Sequence, residues 1–507
     1  MTVLSLDGRS LRICDVLAVA DAREPVSLAP HARARMVVTR AVVDRAVLAG
    51  VPVYGVNTGF GKLSEVTIPH DRLAALQRNL VRSHAAGVGD PLPEREVRAL
   101  MLLRANVLAT GFAGARAEVV ESLLAMLNAG VWPVVPEQGS VGASGDLAPL
   151  AHLALTLMGE GRANFNGRQD ESAALLTAAR LTPIELAAKE GLALINGTQA
   201  HTAVAALASA ELRRLWFAAH VATAMSLEAL LGTPDAFDAR IQEARGQIGQ
   251  QKSAALLRTL LVDSAIRESH RYGDPRVQDA YALRCVPQVH GPAYEALEFA
   301  QGIIERELNA ATDNPLVLET GELLSGGNFH GQAVGMASDV LAIISANLAV
   351  ISERRTDRLV HPDFNQGLPP FLAASPGLES GFMMTQVTAA ALASENKSLA
   401  HPASVDSIPT DGNKEDVVPM AMAAAVKLRR SVRNLRHVLA IELIAAAEGL
   451  EYRRPLRSST PVEAAHLLIR SQVARQSGDR SPAPDITRLG DALAAGLLDS
   501  ITDGLIT

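Results

Sequence analysis

Aromatic rings are scarce in this chain: 10 Phe, 5 Tyr and 2 Trp stand among 507 residues. A core short of rings must be filled by aliphatic side chains, and the abundant Ala and Leu favour helix. Cysteine is scarcer still. Cys14 and Cys285 are too few and too far apart for a disulfide framework or a zinc ribbon, and a reducing cytoplasm fits best. No excess of positive charge exists: 47 Lys and Arg against 54 Asp and Glu leave a net charge of −7, spread along the chain. Without a basic stripe, binding to nucleic acid or to an anionic membrane surface is not expected. The longest charge-free stretch, 191–210, carries Asn196, Thr198, Gln199, His201 and Thr202, which hydrocarbon penalises, so no membrane span is expected. The first residues place Asp7, Arg9 and Arg12 where a signal peptide needs an apolar core.

Familiar catalytic signatures are missing as well. The 13 histidines include no His-x-His and no His-Glu-x-x-His, so no metal is expected. Gly61-Lys62 resembles the end of a phosphate loop, but Val56 stands where the first glycine belongs and Leu63 where Ser or Thr does. Ser144 has Asp146 where a nucleophile elbow needs glycine.

What is present is helical periodicity. Apolar spacing predicts helices over about 30–48, 71–84, 94–110 and 115–128, and longer ones over 294–311, 331–359, 381–399 and 415–452. Such lengths pack side by side as a bundle, so the fold class is mostly α. A domain boundary is placed near 196, dividing 1–196 from 197–507. Between the helices lie connectors rich in Gly and Pro at 51–63, 131–146, 285–292, 323–332 and 401–416. Connectors are where a scaffold mounts chemistry.

One connector contains Ala143-Ser144-Gly145, followed by a predicted helix over 147–158 with Pro149 in its first turn. Glycine has no Cβ to keep its amide nitrogen away from the carbonyl carbon two residues back, so a tight turn here permits cyclisation. Loss of water on ring closure, and of a second from the Ser144 side chain, leaves an exocyclic methylene. No ordinary side chain supplies such an electrophile, and the helix N-terminus behind it would stabilise negative charge. In isolation the tripeptide reads better as a flexible turn before a helix.

Its surroundings decide otherwise. GSVGASGDLAPLAH (139–152), YGVNTGFG (54–61), SHAAGVG (83–89), INGTQ (195–199), QDAYALRC (278–285), SGGNFHG (325–331) and ALASENKSLAHPASVDS (391–407) follow one another along the chain. This ordered set, spanning about 50–455, resembles the aromatic amino-acid ammonia-lyase family, whose prosthetic group is methylidene-imidazolone. The resemblance implies an elongated long-helix bundle of the ammonia-lyase and fumarase-like type, with the prosthetic group carried by an N-terminal helical and loop region. It also implies a homotetramer with sites shared between chains, an amino acid as substrate, and 4-methylidene-imidazole-5-one (MIO) formed autocatalytically from Ala143-Ser144-Gly145, with no metal or nucleotide.

Residue roles follow from the same resemblance. Tyr54 matches the base that takes the substrate β-proton; its phenol must fall by roughly 3 pKa units, about 4 kcal/mol, to be half ionised at neutral pH. Helix N-termini and Arg are the expected source of that shift. Arg284 matches a clamp on the substrate carboxylate, for which a guanidinium fork is suited. Asn196, Gln278 and the catalytic Tyr281 match residues that hold ring and substrate, Phe329 an aromatic packed against the ring, and Asp146 a neighbour implicated in forming it.

Substrate choice is carried by fewer residues. His84 offers a hydrogen-bonding partner to an imidazole, and Met383 an apolar wall. Glu415 falls where family members acting on histidine have glutamate and those acting on phenylalanine or tyrosine have glutamine. A carboxylate facing a benzene ring would be buried without a partner. The implied reaction is elimination of ammonia from L-histidine to give trans-urocanate. Departures from the histidine-specific pattern stand at His201, Gly331-Gln332, Lys414 and Val417-Val418-Pro419. The alternatives at this point are a lyase or 2,3-aminomutase for another amino acid, and an inactive helical scaffold. The fumarase and aspartase group ranks last because its Gly-Ser-Ser loop is absent.

Overall fold

Pro30 opens the first long helix, Pro30–Ala49, where its missing N–H has no partner to lose, and Gly50 ends it at φ +67°. The same logic recurs at Ala117–Ala129, closed by Gly130 at φ +76°. The computed structural model describes residues 3–502, and they are mostly helical. Helices Leu73–His84, Glu94–Ala109, Gln332–Val360 and Met383–Leu399 lie within two residues of the ranges predicted from periodicity.

Three differences have physical causes. The 31-residue helix Gln199–Ala229 was not among the predicted ones. It is lined by Ala203, Ala206, Ala222, Thr223 and Ser226, all buried, so no polar face marks it as amphipathic. The segment 285–292, expected to be a connector, is the start of helix Val286–Leu308. Pro287 is tolerated in the first turn, and Pro292 lies inside the helix. The helix expected from 415 begins at Ala421 instead, which leaves Glu415 on a loop after the short turn Asp411–Asn413.

The chain packs as two units. The first comprises residues up to Leu207 together with Ala300–Asp339 and Pro402–Val426; the second comprises Ala208–Phe299, Val340–His401 and the residues from Lys427 on. The boundary expected near 196 falls within the first segment of the first unit, which runs to Leu207. Among the described residues the strands form four small sheets. One is a parallel pair, Leu4–Leu6 with Val26–Leu28, in the register Leu4↔Val26. Another joins Trp132–Pro133, Arg162–Phe165 and Arg168–Glu171. Gln332–Val360 is the one described helix long and apolar enough to cross a membrane, and 72% of its apolar window is buried inside the protein.

Candidate active site

In the first unit, helix Leu73–His84 presents Leu76, Asn79, Leu80, Ser83 and His84 to a cavity of about 740 Å³. Their spacing of three and four residues is that of one helical face. Tyr54, Ser144, Asn196, Phe329, Asp411 and Glu415 line the same cavity, and all but Asn196 also line an adjoining one of about 460 Å³. Residues more than 350 positions apart in sequence thus face one space.

The tripeptide lies at the N-terminus of helix Leu147–Leu157. Ala143 is buried, and Gly145 has φ +75° and bridges to Gly197. A Cβ at Gly145 would stand 2.1 Å from the Gly197 carbonyl oxygen, so only glycine permits this approach. The Ser144 carbonyl accepts a hydrogen bond of 2.8 Å from Asn196 Nδ2. Asn196 Oδ1 is buried without a partner. The Ser144 hydroxyl donates to Glu415 Oε1, while Glu415 Oε2 accepts from Thr410 Oγ1 at 2.5 Å.

Behind the Asn196-Gly197 turn stands Arg104, which sequence reasoning did not single out. Fully buried, it donates to the Asn196 carbonyl at 3.0 Å and to Gln199 Oε1 at 2.6 Å. Burial pulls its guanidinium down to about 10, so it stays charged at neutral pH. Asp146 is also fully buried: its Oδ1 accepts from Ser140 Oγ at 2.7 Å and its Oδ2 from the His201 backbone N–H at 2.9 Å. Burial pushes the Asp146 carboxyl up, but the His201 imidazole and these donors outweigh it and hold the group below its ordinary value.

His84 Nδ1 lies 2.8 Å from the Leu80 carbonyl, which can only accept; neutral His84 therefore keeps Nε2 as its acceptor nitrogen. Tyr54 sits in a loop stapled by Asn57, whose Oδ1 accepts from the Val53 N–H at 2.7 Å and whose Nδ2 donates to the Val51 carbonyl at 3.0 Å. The lowering that a base at Tyr54 requires is not supplied within one chain. Burial raises its phenol, and Asp411, Asp313 and Glu415 add to the rise, against the Gly61 N–H that pulls the other way. No arginine is among the residues lining either cavity. Asp411, a carboxylate beside Tyr54, was not among the predicted site residues; nothing in its local sequence marks it as close to residue 54.

Four predicted residues lie in the second unit and do not line these cavities: Gln278, Tyr281, Arg284 and Met383. Tyr281 is 69% exposed, with the Arg284 guanidinium 4.8 Å from the centre of its ring.

The tripeptide geometry fits cyclisation. The Ser144 carbonyl oxygen, which a ring closed by the Gly145 nitrogen would retain, already has a donor in Asn196, and the glycine Cβ position is filled by Gly197.

Comparison with known proteins is consistent with this geometry. The chain is 54% identical over 508 residues to a histidine ammonia-lyase of Anaeromyxobacter sp. (strain K), covering 98% of this chain and 100% of that one. It is 52% identical to the histidine ammonia-lyase of Geobacillus thermodenitrificans, with 89% of each chain covered. The crystal structure of the Trypanosoma cruzi histidine ammonia-lyase matches with a TM-score of 0.93 at 42% identity, covering 100% of this chain and 96% of that one. A tyrosine aminomutase of Streptomyces globisporus matches with a TM-score of 0.94 at 36% identity, covering 99% and 98%. Backbone shape thus does not separate the two activities. The family model for aromatic amino acid lyases matches residues 11–471, which encompass the tripeptide and every residue of the cavity, and the chain belongs to that family.

Proposed function

We propose that the protein eliminates ammonia from L-histidine to give trans-urocanate, with Ala143-Ser144-Gly145 converted autocatalytically to 4-methylidene-imidazole-5-one. The observation that carries the reading is Glu415 beside Ser144 in the cavity. Dehydration of Ser144 would take away the donor to Glu415 Oε1, leaving Thr410 on Oε2 alone; an imidazole N–H replaces that donor, whereas a phenyl ring cannot. The names of the similar bacterial proteins point the same way.

When formed, the prosthetic group supplies an electrophilic methylene carbon that makes the α-amino group a better leaving group. Asn196 and Phe329 hold it, with Asp146 behind. Tyr54 takes the β-proton at its phenolate oxygen. Because burial and three carboxylates raise the Tyr54 phenol within one chain, a cation from outside the cavity must offset them. Other copies of the chain in a homotetramer contribute Arg284 for that purpose and for the substrate carboxylate, along with Gln278, Tyr281 and Met383. When the substrate ring is protonated, Glu415 takes one of its N–H groups and His84 Nε2 accepts the other, and the apolar wall of Leu76 and Leu80 limits water around it. The two widely separated cysteines, both unpaired, accord with a cytoplasmic enzyme.

The test is a steady-state comparison of histidine, tyrosine and phenylalanine, read by the absorbance of the conjugated acid. Preference for a benzene ring would refute the substrate. A second reading is favoured by Gly331-Gln332, which departs from the histidine pattern, and by the aminomutase likeness. Product mass separates them, because a mutase returns the amine to the β-carbon and accumulates no conjugated acid.

A further inference from the structure

His201 and Gly331 both depart from the pattern of the histidine-specific members, and the fold makes them a single feature. The His201 imidazole is fully buried, with Nδ1 2.8 Å from Asp146 Oδ2. Its opposite edge faces residue 331: a Cβ added there would stand 2.6 Å from His201 Cε1 and 2.8 Å from Nε2. A methyl group at 331 would therefore force the His201 imidazole out of its present place.

We infer that His201 is a positioning residue for the conversion of the tripeptide, holding the Asp146 carboxylate in one orientation, and that glycine at 331 is what admits its ring. The inference rests on the reading of the site proposed above. Asp146 directly follows Gly145, and its two oxygens tie together segments that surround the tripeptide. Ser140 Oγ donates to one oxygen and accepts from the Gly142 N–H at 3.1 Å; the His201 backbone and ring meet the other. The Gly331 N–H donates to the Gly142 carbonyl at 3.0 Å, so the residue that makes room for the ring also anchors the tripeptide loop. Without the ring, Asp146 Oδ2 would keep only the backbone N–H of residue 201, and a buried carboxylate with fewer partners is held less firmly in one orientation.

Conversion places two demands on this surrounding. The Gly145 nitrogen bonds to the Ala143 carbonyl carbon, and that oxygen leaves as water with the amide protons of Gly145 and Ser144. The Ser144 hydroxyl then leaves as a second water with the Ser144 Cα proton. Both steps move protons at this turn, so an acceptor fixed in place accelerates them. Asp146 is the carboxylate adjoining the tripeptide in sequence, and His201 is the imidazole that orients it.

Intact mass of the purified full-length chain reads conversion directly, without reference to activity. The parent protein should be lighter than its sequence by two waters. His201→Leu fills the space but has no donor, and its conversion should slow by about tenfold or more, as loss of an outer-shell partner does elsewhere, while helical circular dichroism is retained. His201→Asn keeps a donor at the place of Nδ1 and should convert. Gly331→Ala should convert poorly, and adding His201→Asn should restore it, because asparagine lacks the far edge of the ring. Should His201→Leu fail to fold, the Gly331→Ala pair decides. Parental conversion in folded His201→Leu, or no rescue of Gly331→Ala by His201→Asn, overturns the inference alone. A parent protein at its unmodified mass overturns the reading of the site, and the inference with it.

Discussion

Each unit buries charged and titratable groups, but to different ends. In the second, Arg355 and Glu442 are both fully buried and pair through Nε–Oε1 at 2.5 Å and Nη2–Oε2 at 2.9 Å, with Ser226 and Ser352 donating to the same carboxylate. Nearby in that unit, His220 gives its Nδ1 proton to the Trp216 carbonyl at 2.8 Å and accepts from Ser253 at 2.7 Å. Such groups are closed on themselves. In the first unit, the Ser144–Glu415 contact and the unpartnered Asn196 Oδ1 adjoin an open cavity. A buried polar network that is complete specifies packing, whereas one left incomplete beside a cavity has capacity for a ligand.

The sharpest way to break this contrast is Ser144→Ala. Activity should fall by at least about 10³-fold, as when a covalent catalyst loses its reacting group, with no change in thermal stability beyond a degree or two. Full activity in that variant would remove the chemical role of the first unit. Arg355→Leu tests the second unit. It leaves Glu442 buried without its counter-charge, with only Ser226 and Ser352 donating to it, and should destabilise the fold by about 3–5 kcal/mol. Denaturant titration or the half-life of thermal inactivation reads the loss, while turnover per folded molecule should hold.

Glu415→Gln lies between the two in kind. Removing a charged acceptor for an imidazole N–H should lower kcat/KM for histidine by about 10- to 100-fold, the scale of 1–3 kcal/mol for a charge-assisted hydrogen bond. A matching fall for tyrosine would show that the residue does not choose the ring. A gradual effect, spread over pH rather than caused by one substitution, is acid lability of the second unit. Burial lowers His220 to about 3 and His290 well below its ordinary 6.5. Unfolded histidines take up protons below about pH 6.5 that the folded ones refuse, so stability falls as pH drops through that window. The slope is up to about 1.4 kcal/mol per pH unit for each histidine. Asp146 acts in the same direction at lower pH, because its carboxyl is held below 3.8 when folded. Unfolding midpoints that stay flat between pH 7 and 5 would contradict the assignment of neutral, buried histidines.

Legibility in the sequence followed the range of the physics. Helix Leu73–His84 could be read because its apolar face repeats every three to four residues. Helix Gln199–Ala229 could not, since apolar residues such as Leu212 and Val221 and polar ones such as His201 and Thr223 are buried alike, and no stripe is left. The site residues 54, 84, 196, 329 and 415 could be nominated by motif, and the fold brings them to one cavity. Asp411 and Arg104 carry no motif, and only their position beside Tyr54 and behind Asn196 gives them a part.

The amino-acid sequence by itself determined the helical class, the start of a helix just after the tripeptide, and the order of the motifs, because propensity, caps and turns act over a few residues. Only the tertiary structure decided that Tyr54 is raised rather than lowered within one chain, that Gln278, Tyr281, Arg284 and Met383 belong to the second unit and do not line the cavity, and that His201 and Gly331 share one space. The field at an atom and the room around a ring are set by groups distant in sequence, which packing alone brings together.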